Sequence, residues 1–295
     1  MTEIFGYPLP VILGQLMLGL VNGSFYAMLS LGLAVIFGLL GVVNFAHGAF
    51  YMLGAYAAYV GLNSLGINYW FALVLSPLVV GALGIALERL LLRHLYQLDP
   101  LYGLLLTFGL ALIAEGVMRD HYGSSGQDYP VPAALQGVFN LGFMILPIYR
   151  AWVILVSLVV CFTTWFLIEH TRLGSTLRAA TENPRLVQAF GTNVPLIVMT
   201  TFGVGVGLAA LAGVLAAPVI QVTPLMGGSL VVVVFAVVVI GGMGSIFGSI
   251  VSGLVLGMVE GLTKVVYPEA SSIVVFVIMA IVLMIRPAGL FGKEK

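Results

Sequence analysis

From Val11 to Val43 the chain carries no charged side chain, and that stretch excludes most architectures. A helix crosses the hydrocarbon core of a bilayer in about 20 apolar residues, so this run is too long for one straight span. It is interrupted at Asn22-Gly23-Ser24 and closes on Val43-Asn44-Phe45-Ala46-His47-Gly48. It is therefore either one long tilted helix or a helix that breaks. Further apolar runs follow at Gly48–Leu62, Trp70–Leu87, Leu101–Met118, Trp152–Ile168, Leu196–Pro218, Gly228–Ile240, Ile246–Thr263 and Ser271–Ile285. The run Leu101–Met118, the fourth span counting from Val11, is opened by Asp99-Pro100, a cap followed by a first-turn proline. Only 7% of residues are charged, against about 25% in soluble domains. The runs are continuous and not alternating, which argues against a closed β-barrel. The expected fold class is all-α: a polytopic membrane protein of about 8–10 transmembrane helices, some short or broken. It is read as one transmembrane domain over residues 1–295.

The basic residues cluster at Arg89/Arg93, Arg172/Arg178/Arg185 and Arg286/Lys293/Lys295. The excess of Lys and Arg in cytoplasmic loops places all three clusters, and the C-terminus, inside. The connection over residues 119–150 and the turn over 264–270 then lie outside. This gives about nine crossings with the N-terminus outside, or about ten with it inside if the first run breaks. Net charge is zero, so nucleic acid is not an expected partner. The single Cys161 sits in an apolar run and implies no disulfide framework. The start, MTEIFGYPLP, has no basic region, so no cleavable signal peptide is expected. There is no phosphate loop, no H-E-x-x-H and no Cys/His metal spacing. The chain is expected to be no enzyme and to hydrolyse no ATP by itself. Glu115 with Arg119, and Glu260 with Lys264, are spaced to pair along helix faces at outer span ends. That leaves few ionisable groups deep in the bilayer and weighs against an ion-driven carrier.

Polar residues concentrate in RLGSTLRAATENPRLVQAFGTNVP, Arg172 to Pro195. Ser175 is a candidate cap for a helix over Thr176–Glu182. Asn183-Pro184 restarts the chain, Arg185–Phe190 make about two turns, and Gly191 can take the left-handed conformation that ends them. Leu186 and Phe190 share a face. So short a helix needs a surface to dock on; the alternative is an ordinary loop held by its positive charge.

Two breaks interrupt apolar runs: Asn44-Phe45-Ala46-His47-Gly48, and Gly241-Gly242-Met243-Gly244-Ser245. Irregular backbone at membrane depth survives only where protein or water satisfies it. His47 is either a pathway residue or a satisfied buried histidine, and the second break either a pathway element or a tight turn. Ser245, Ser249, Gly253, Gly257 and Gly261 recur every four residues, either for close helix packing or as a face toward a partner or solute. A loose echo relates Leu29–Gly48 to Val231–Gly248, and paired broken segments often mark a transport path.

The spacing of Ala179, Ala180, Glu182, Asn183 and Gly191 resembles the cytoplasmic loop of ABC importer permeases. The match is specifically to permeases of branched-chain amino acid (Liv-type) importers. Asn22–Tyr56, Val239–Gly257 and Arg286–Lys293 are similar to the same family, in family order. The resemblance implies an ABC importer permease fold, with residues 170–195 as the cytoplasmic coupling loop and 119–150 as a periplasmic connection. It implies ATPase coupling through Ala179, Ala180, Glu182, Asn183, Pro184, Leu186, Phe190 and Gly191. Implied partners are a second, homologous permease, two cytoplasmic ATPases that carry ATP and Mg, and a periplasmic binding protein, in a bacterial inner membrane. The chain itself is expected to hold no cofactor. The solute path is placed beside Asn44, Phe45, His47, Gly241, Gly242, Ser245, Ser249 and Gly253. The solute is expected to be a branched-chain or other hydrophobic amino acid; urea, an aromatic acid or another small solute stays open within the family. From another class, an ion-coupled secondary carrier stays open.

Overall fold

A single helix, α1 (Leu9–Leu40), takes up most of the first apolar run. In the computed structural model, which describes residues 3–4, 6–41, 43–96 and 98–292, it passes through Asn22-Gly23-Ser24 without a break. Those small residues are contact points. A Cβ on Gly23 would stand 2.8 Å from the Leu254 carbonyl oxygen, and Ser157 Oγ donates to the Ser24 carbonyl at 2.8 Å. The one-helix alternative therefore holds. The helix starts on Pro10 in its first turn and ends on Gly41 at φ +66°.

The remaining elements are α2 (His47–Leu65), α3 (Tyr69–Leu90), α4 (Pro100–Tyr122), α5 (Ile148–His170), α6 (Arg172–Glu182), α7 (Pro184–Ala189), α8 (Val194–Ala216), α9 (Gly228–Gly241), α10 (Ile246–Val266) and α11 (Val274–Ile285). α1 and five of these helices, α3, α4, α5, α8 and α10, are long and apolar enough to cross a membrane. With the shorter α2, α9 and α11 they make nine hydrophobic helices among the described residues, in line with the expected fold class. Among the described residues the strands form two small antiparallel hairpins: β1 (Glu3–Ile4) with β2 (Tyr7–Pro8), and β3 (Val138–Asn140) with β4 (Ile145–Pro147). Asn68 caps α3 by accepting from Phe71 N at 3.1 Å, and Asp99 caps α4 by accepting from Leu101 N at 2.9 Å, as the Asp99-Pro100 signal predicts.

The core is built on α1 and α8. The longest contact runs between α1 and α10, while α8 packs on α2, α3 and α1. Small residues make this possible. The row Gly253, Gly257 and Gly261 faces the backbone of α1 at Ala27, Gly23 and Gly19, and Ser30 Oγ reaches the Ser249 carbonyl at 3.1 Å. Of the two readings of this row, intramolecular packing is the one the fold uses.

The ends of α1 and α3, the α6–α7 loop and the α9–α10 turn gather on one side of the bundle. Phe37, Gly41, Tyr96, Ala180, Glu182 and Pro184 line one groove there. We call this the basic side, because Arg89, Arg93, Arg172, Arg178 and Arg185 belong to it. Lys293 and Lys295, of the third basic cluster, lie outside the described residues. The connection between α4 and α5 lies on the opposite side. Gln127 N and Val222 N each donate to the other's carbonyl at 2.9 Å, which clamps that connection to the segment between α8 and α9.

Candidate functional site

The loop between α5 and α8 folds as two short helices. α6 begins at Arg172, earlier than expected. Ser175 is no cap: it lies inside the helix, and its Oγ donates to the Arg172 carbonyl at 3.0 Å. Arg178 anchors the helix, with Nη1 donating to the Ile168 carbonyl at 2.8 Å and reaching Glu169 at 3.4 Å. Ala180 turns inward at 2% exposure, whereas Ala179, Glu182, Asn183 and Pro184 are exposed. Asn183 caps α7 by accepting from Leu186 N at 3.1 Å. Gly191, at φ +83°, ends it. Gly191 N bonds the Gln188 carbonyl and Thr192 N the Val187 carbonyl, the paired bonds of a Schellman motif. The result is a small, fully capped helix that presents Leu186 at 54% and Phe190 at 81% exposure. Beside it, Tyr96 donates to Glu88 at 3.0 Å. Burial, then the Glu88 carboxylate, hold the Tyr96 phenol well above its usual pKa, so it stays a donor.

The two sequence breaks have different characters. His47 Nε2 lies 2.9 Å from the Leu29 carbonyl. Leu29 is ~16 Å short of the end of α1, so the chain returns into the bundle before α2 begins. The irregular backbone is satisfied locally. Phe45 N donates to Thr107 Oγ1 at 3.1 Å, and Ala46 N to Asn44 Oδ1 at 3.0 Å. Asn44 and His47 are completely enclosed, and Asn44 Nδ2 and His47 Nδ1 find no partner among the described residues. Phe45 is half-buried, stacked on Phe235 with centroids 4.9 Å apart and edge-on to Phe108 at 6.4 Å.

The break from Gly241 to Ser245 is a tight turn on the basic side. Ser245 Oγ accepts from Gly248 N at 3.0 Å and caps α10. Gly241 and Gly242 are buried. Leu290 N and Phe291 N donate to the carbonyls of Ile240 and Gly241, so the Arg286–Gly292 segment seals the end of α9. The structure therefore brings Asn44, Phe45 and His47 together and leaves Gly241, Gly242 and Ser245 apart from them. Ser249 and Gly253 face α1.

The real counterpart of the first break is the segment from Ala217 to Gly227, which sequence reasoning passed over. Gly48 and Gly227 touch backbone to backbone, so α2 and α9 start side by side inside the bundle. The echo in the sequence compared α9 with α1; the spatial match is with α2. Pro218, Pro224 and Gly227-Gly228 were the available signal.

Glu115 is also placed differently from expectation. α4 runs on to Tyr122, so Glu115 lies ~10 Å inside its end. Its carboxylate oxygen lies against Gly228, the first residue of α9. The ion pairs among the described residues are Arg178–Glu169 and Lys264–Glu260, the latter at 2.7 Å; Glu115 and Arg119 form none.

A bundle of apolar helices with two re-entrant starts, and a capped polar loop on its basic side, defines a polytopic membrane permease. The model of the family described as branched-chain amino acid transport system / permease component matches residues 15–283, and the chain belongs to that family. It is 30% identical to the high-affinity branched-chain amino acid transport system permease protein BraD of Pseudomonas aeruginosa, covering 100% of this chain and 99% of that one. It is 28% identical to LivH of Escherichia coli K12 over 100% of this chain and 99% of the relative. LivM of the same strain is 27% identical over 92% of this chain and 68% of the relative. No solved structure matches the chain significantly.

Proposed function

We propose that this chain is a permease subunit of an ATP-driven importer for branched-chain amino acids in a bacterial inner membrane. A second, homologous permease, two ATPases that bind ATP and Mg, and a periplasmic binding protein complete it. The basic side faces the cytoplasm and carries the C-terminus. The observation that carries this reading is the capped α7, which offers Leu186 and Phe190 to solvent while Arg178 ties α6 to the end of α5. A rigid, apolar-faced knob is suited to seat in a groove of an ATPase, with Ala179, Glu182, Asn183, Pro184 and Gly191 shaping it. Closure of the ATPases then moves the helices as rigid bodies. Cysteines at Leu186 and Phe190, without Cys161, should crosslink to the ATPases; if neither does in a complex that turns over ATP, the assignment fails. Impermeant thiol reagents should reach Ser125→Cys from the outside only and Glu182→Cys from the inside only.

The proposed solute route runs along the face where α4, α2 and α9 meet. Phe45 stands at its narrowest point, with Asn44 and His47 behind. Gly241, Gly242, Ser245, Ser249 and Gly253 serve packing and capping on this reading. Uptake of leucine that stops on ATP depletion and survives a protonophore would separate this importer from an ion-coupled carrier, which a carboxylate inside α4 would otherwise suit.

A further inference from the structure

Glu115 and Arg119 have the same spacing as Glu260 and Lys264, yet only the second pair closes. The difference lies in what faces them. An open cavity of about 460 Å³ lies beside Arg119, bounded by Ser124, Thr223, Pro224 and Leu225. One turn deeper on the same face, Glu115 rests against Gly228. Arg119 thus faces the segment between α8 and α9, Glu115 faces the first residue of α9, and the two make no ion-pair contact with each other.

That segment is held firmly. The Gln127–Val222 bonds fix it from above, Gln221 Nε2 donates to Asp128 at 3.1 Å, and Met226 N closes a turn on Thr223. The cavity is of a size that suits a small organic ligand. Its lining offers one cation, two hydroxyls and the apolar surface of Pro224 and Leu225; Glu115 does not line it but lies one helical turn deeper, beside Gly228.

We propose that Glu115 and Arg119 form a receiving site for a free α-amino acid with an aliphatic side chain. Arg119 holds the carboxylate in its planar fork, Glu115 holds the ammonium, and Leu225 and Pro224 meet the side chain. Only a zwitterion answers both charges at once. A ligand that carries only one charge answers one of the two side chains and leaves the other without a partner. The proposal rests on the importer reading and names how this subunit recognises the amino-acid backbone on the way to Phe45.

The test uses the purified complex with its partners, in a Cys161→Ala, Leu225→Cys chain. L-leucine should slow labelling of the cysteine at least fivefold. 4-Methylpentanoate, which lacks the ammonium, and 3-methylbutylamine, which lacks the carboxylate, should not at the same concentration. Adding Glu115→Gln should raise the half-protecting leucine concentration at least tenfold and make leucine no better than 4-methylpentanoate. Arg119→Gln should do the same relative to 3-methylbutylamine, and Glu115→Asp should recover part of the loss. The site is wrong if leucine gives no protection, if the cysteine is unreactive in every nucleotide state, or if both variants protect like the parent. It is also wrong if Glu115→Gln only lowers thermal stability, which is what a mere counter-charge to the start of α9 would do. Should the Gln variants fail to assemble, the three-ligand comparison in the parent decides alone. Wild-type leucine uptake separates the two failures: uptake without protection overturns the site, and protection without uptake overturns the importer reading.

Discussion

The ring of His47, the first residue of α2, is bonded to the carbonyl of Leu29 in α1, with Nε2 2.9 Å from the oxygen. This fixes how far α2 re-enters the bundle. The ring is 1% exposed and its other nitrogen has no partner among the described residues, so its main contribution is volume plus one bond. His47→Ala should cost about 2–4 kcal/mol through the cavity and the lost bond. His47→Gln keeps most of the volume and a donor for the Leu29 carbonyl, and should cost less than half as much. Thermal unfolding of the purified subunit in detergent checks the order; an Ala variant as stable as the Gln variant would show the site to be soft.

The close seam of α1 and α10 makes a second prediction. A methyl group on Gly253 would stand 2.6 Å from Ala27 N, and one on Gly257 would overlap Gly23. Backbone cannot yield locally as a side-chain tip can, so Gly253→Ala and Gly257→Ala should each sharply reduce the yield of monodisperse protein. Gly109 on α4 has nothing within 4 Å of the same position. Gly109→Ala should be neutral or stabilise by up to ~1 kcal/mol. Equal yields from all three would mean the seam is not close-packed.

The apolar runs and the punctuation were legible in the sequence. Asp99, Asn183 and Gly191 do what their chemistry forecasts, because caps and left-handed turns depend on a few neighbouring residues. Depth was not legible. Nothing local in Asn44–Gly48 says that the chain turns back toward Leu29, since that is decided by a carbonyl eighteen residues earlier. Gly241–Ser245 interrupts an apolar run in the same way and makes a plain turn, sealed by Leu290 and Phe291 from the far end of the chain. Glu115 looked peripheral because its helix was cut short at Met118, and continuing it to Tyr122 moves the carboxylate inward. Pro224 and Gly227-Gly228 were visible, but their partner Gly48 is distant in sequence.

Arg178 supplies a third prediction. Its exposed ion pair with Glu169 is worth little in water, so Glu169→Gln should leave transport within twofold of the parent. The bond from Nη1 to the Ile168 carbonyl joins α6 to the end of α5. Arg178→Ala should loosen that joint, so the complex hydrolyses ATP but moves at least fivefold less leucine per ATP. Arg178→Lys, without the planar fork, should fall between. A constant ratio of leucine to ATP across the three variants would show that α6 transmits nothing.

The last prediction concerns Phe45. Its ring lies between Phe235 on α9 and Phe108 on α4, while its backbone N–H is tied to Thr107. The backbone is therefore fixed and the ring is the part that can rotate or be removed. If this is the narrowest point of the route, its size sets which side chains pass. Phe45→Ala should raise uptake of phenylalanine relative to valine at least threefold, measured with binding protein loaded equally with each. Phe45→Trp should lower the same ratio. Loss of one half-buried ring costs stability too, so Phe45→Leu, which keeps much of the packing, serves as the control for assembly and should shift the ratio in the direction of Ala. A cysteine at Phe45 should react with a small thiol reagent in one nucleotide state and be protected in another. Should the ratio stay within twofold of the parent in all three assembled variants, the ring is structural and the route lies elsewhere.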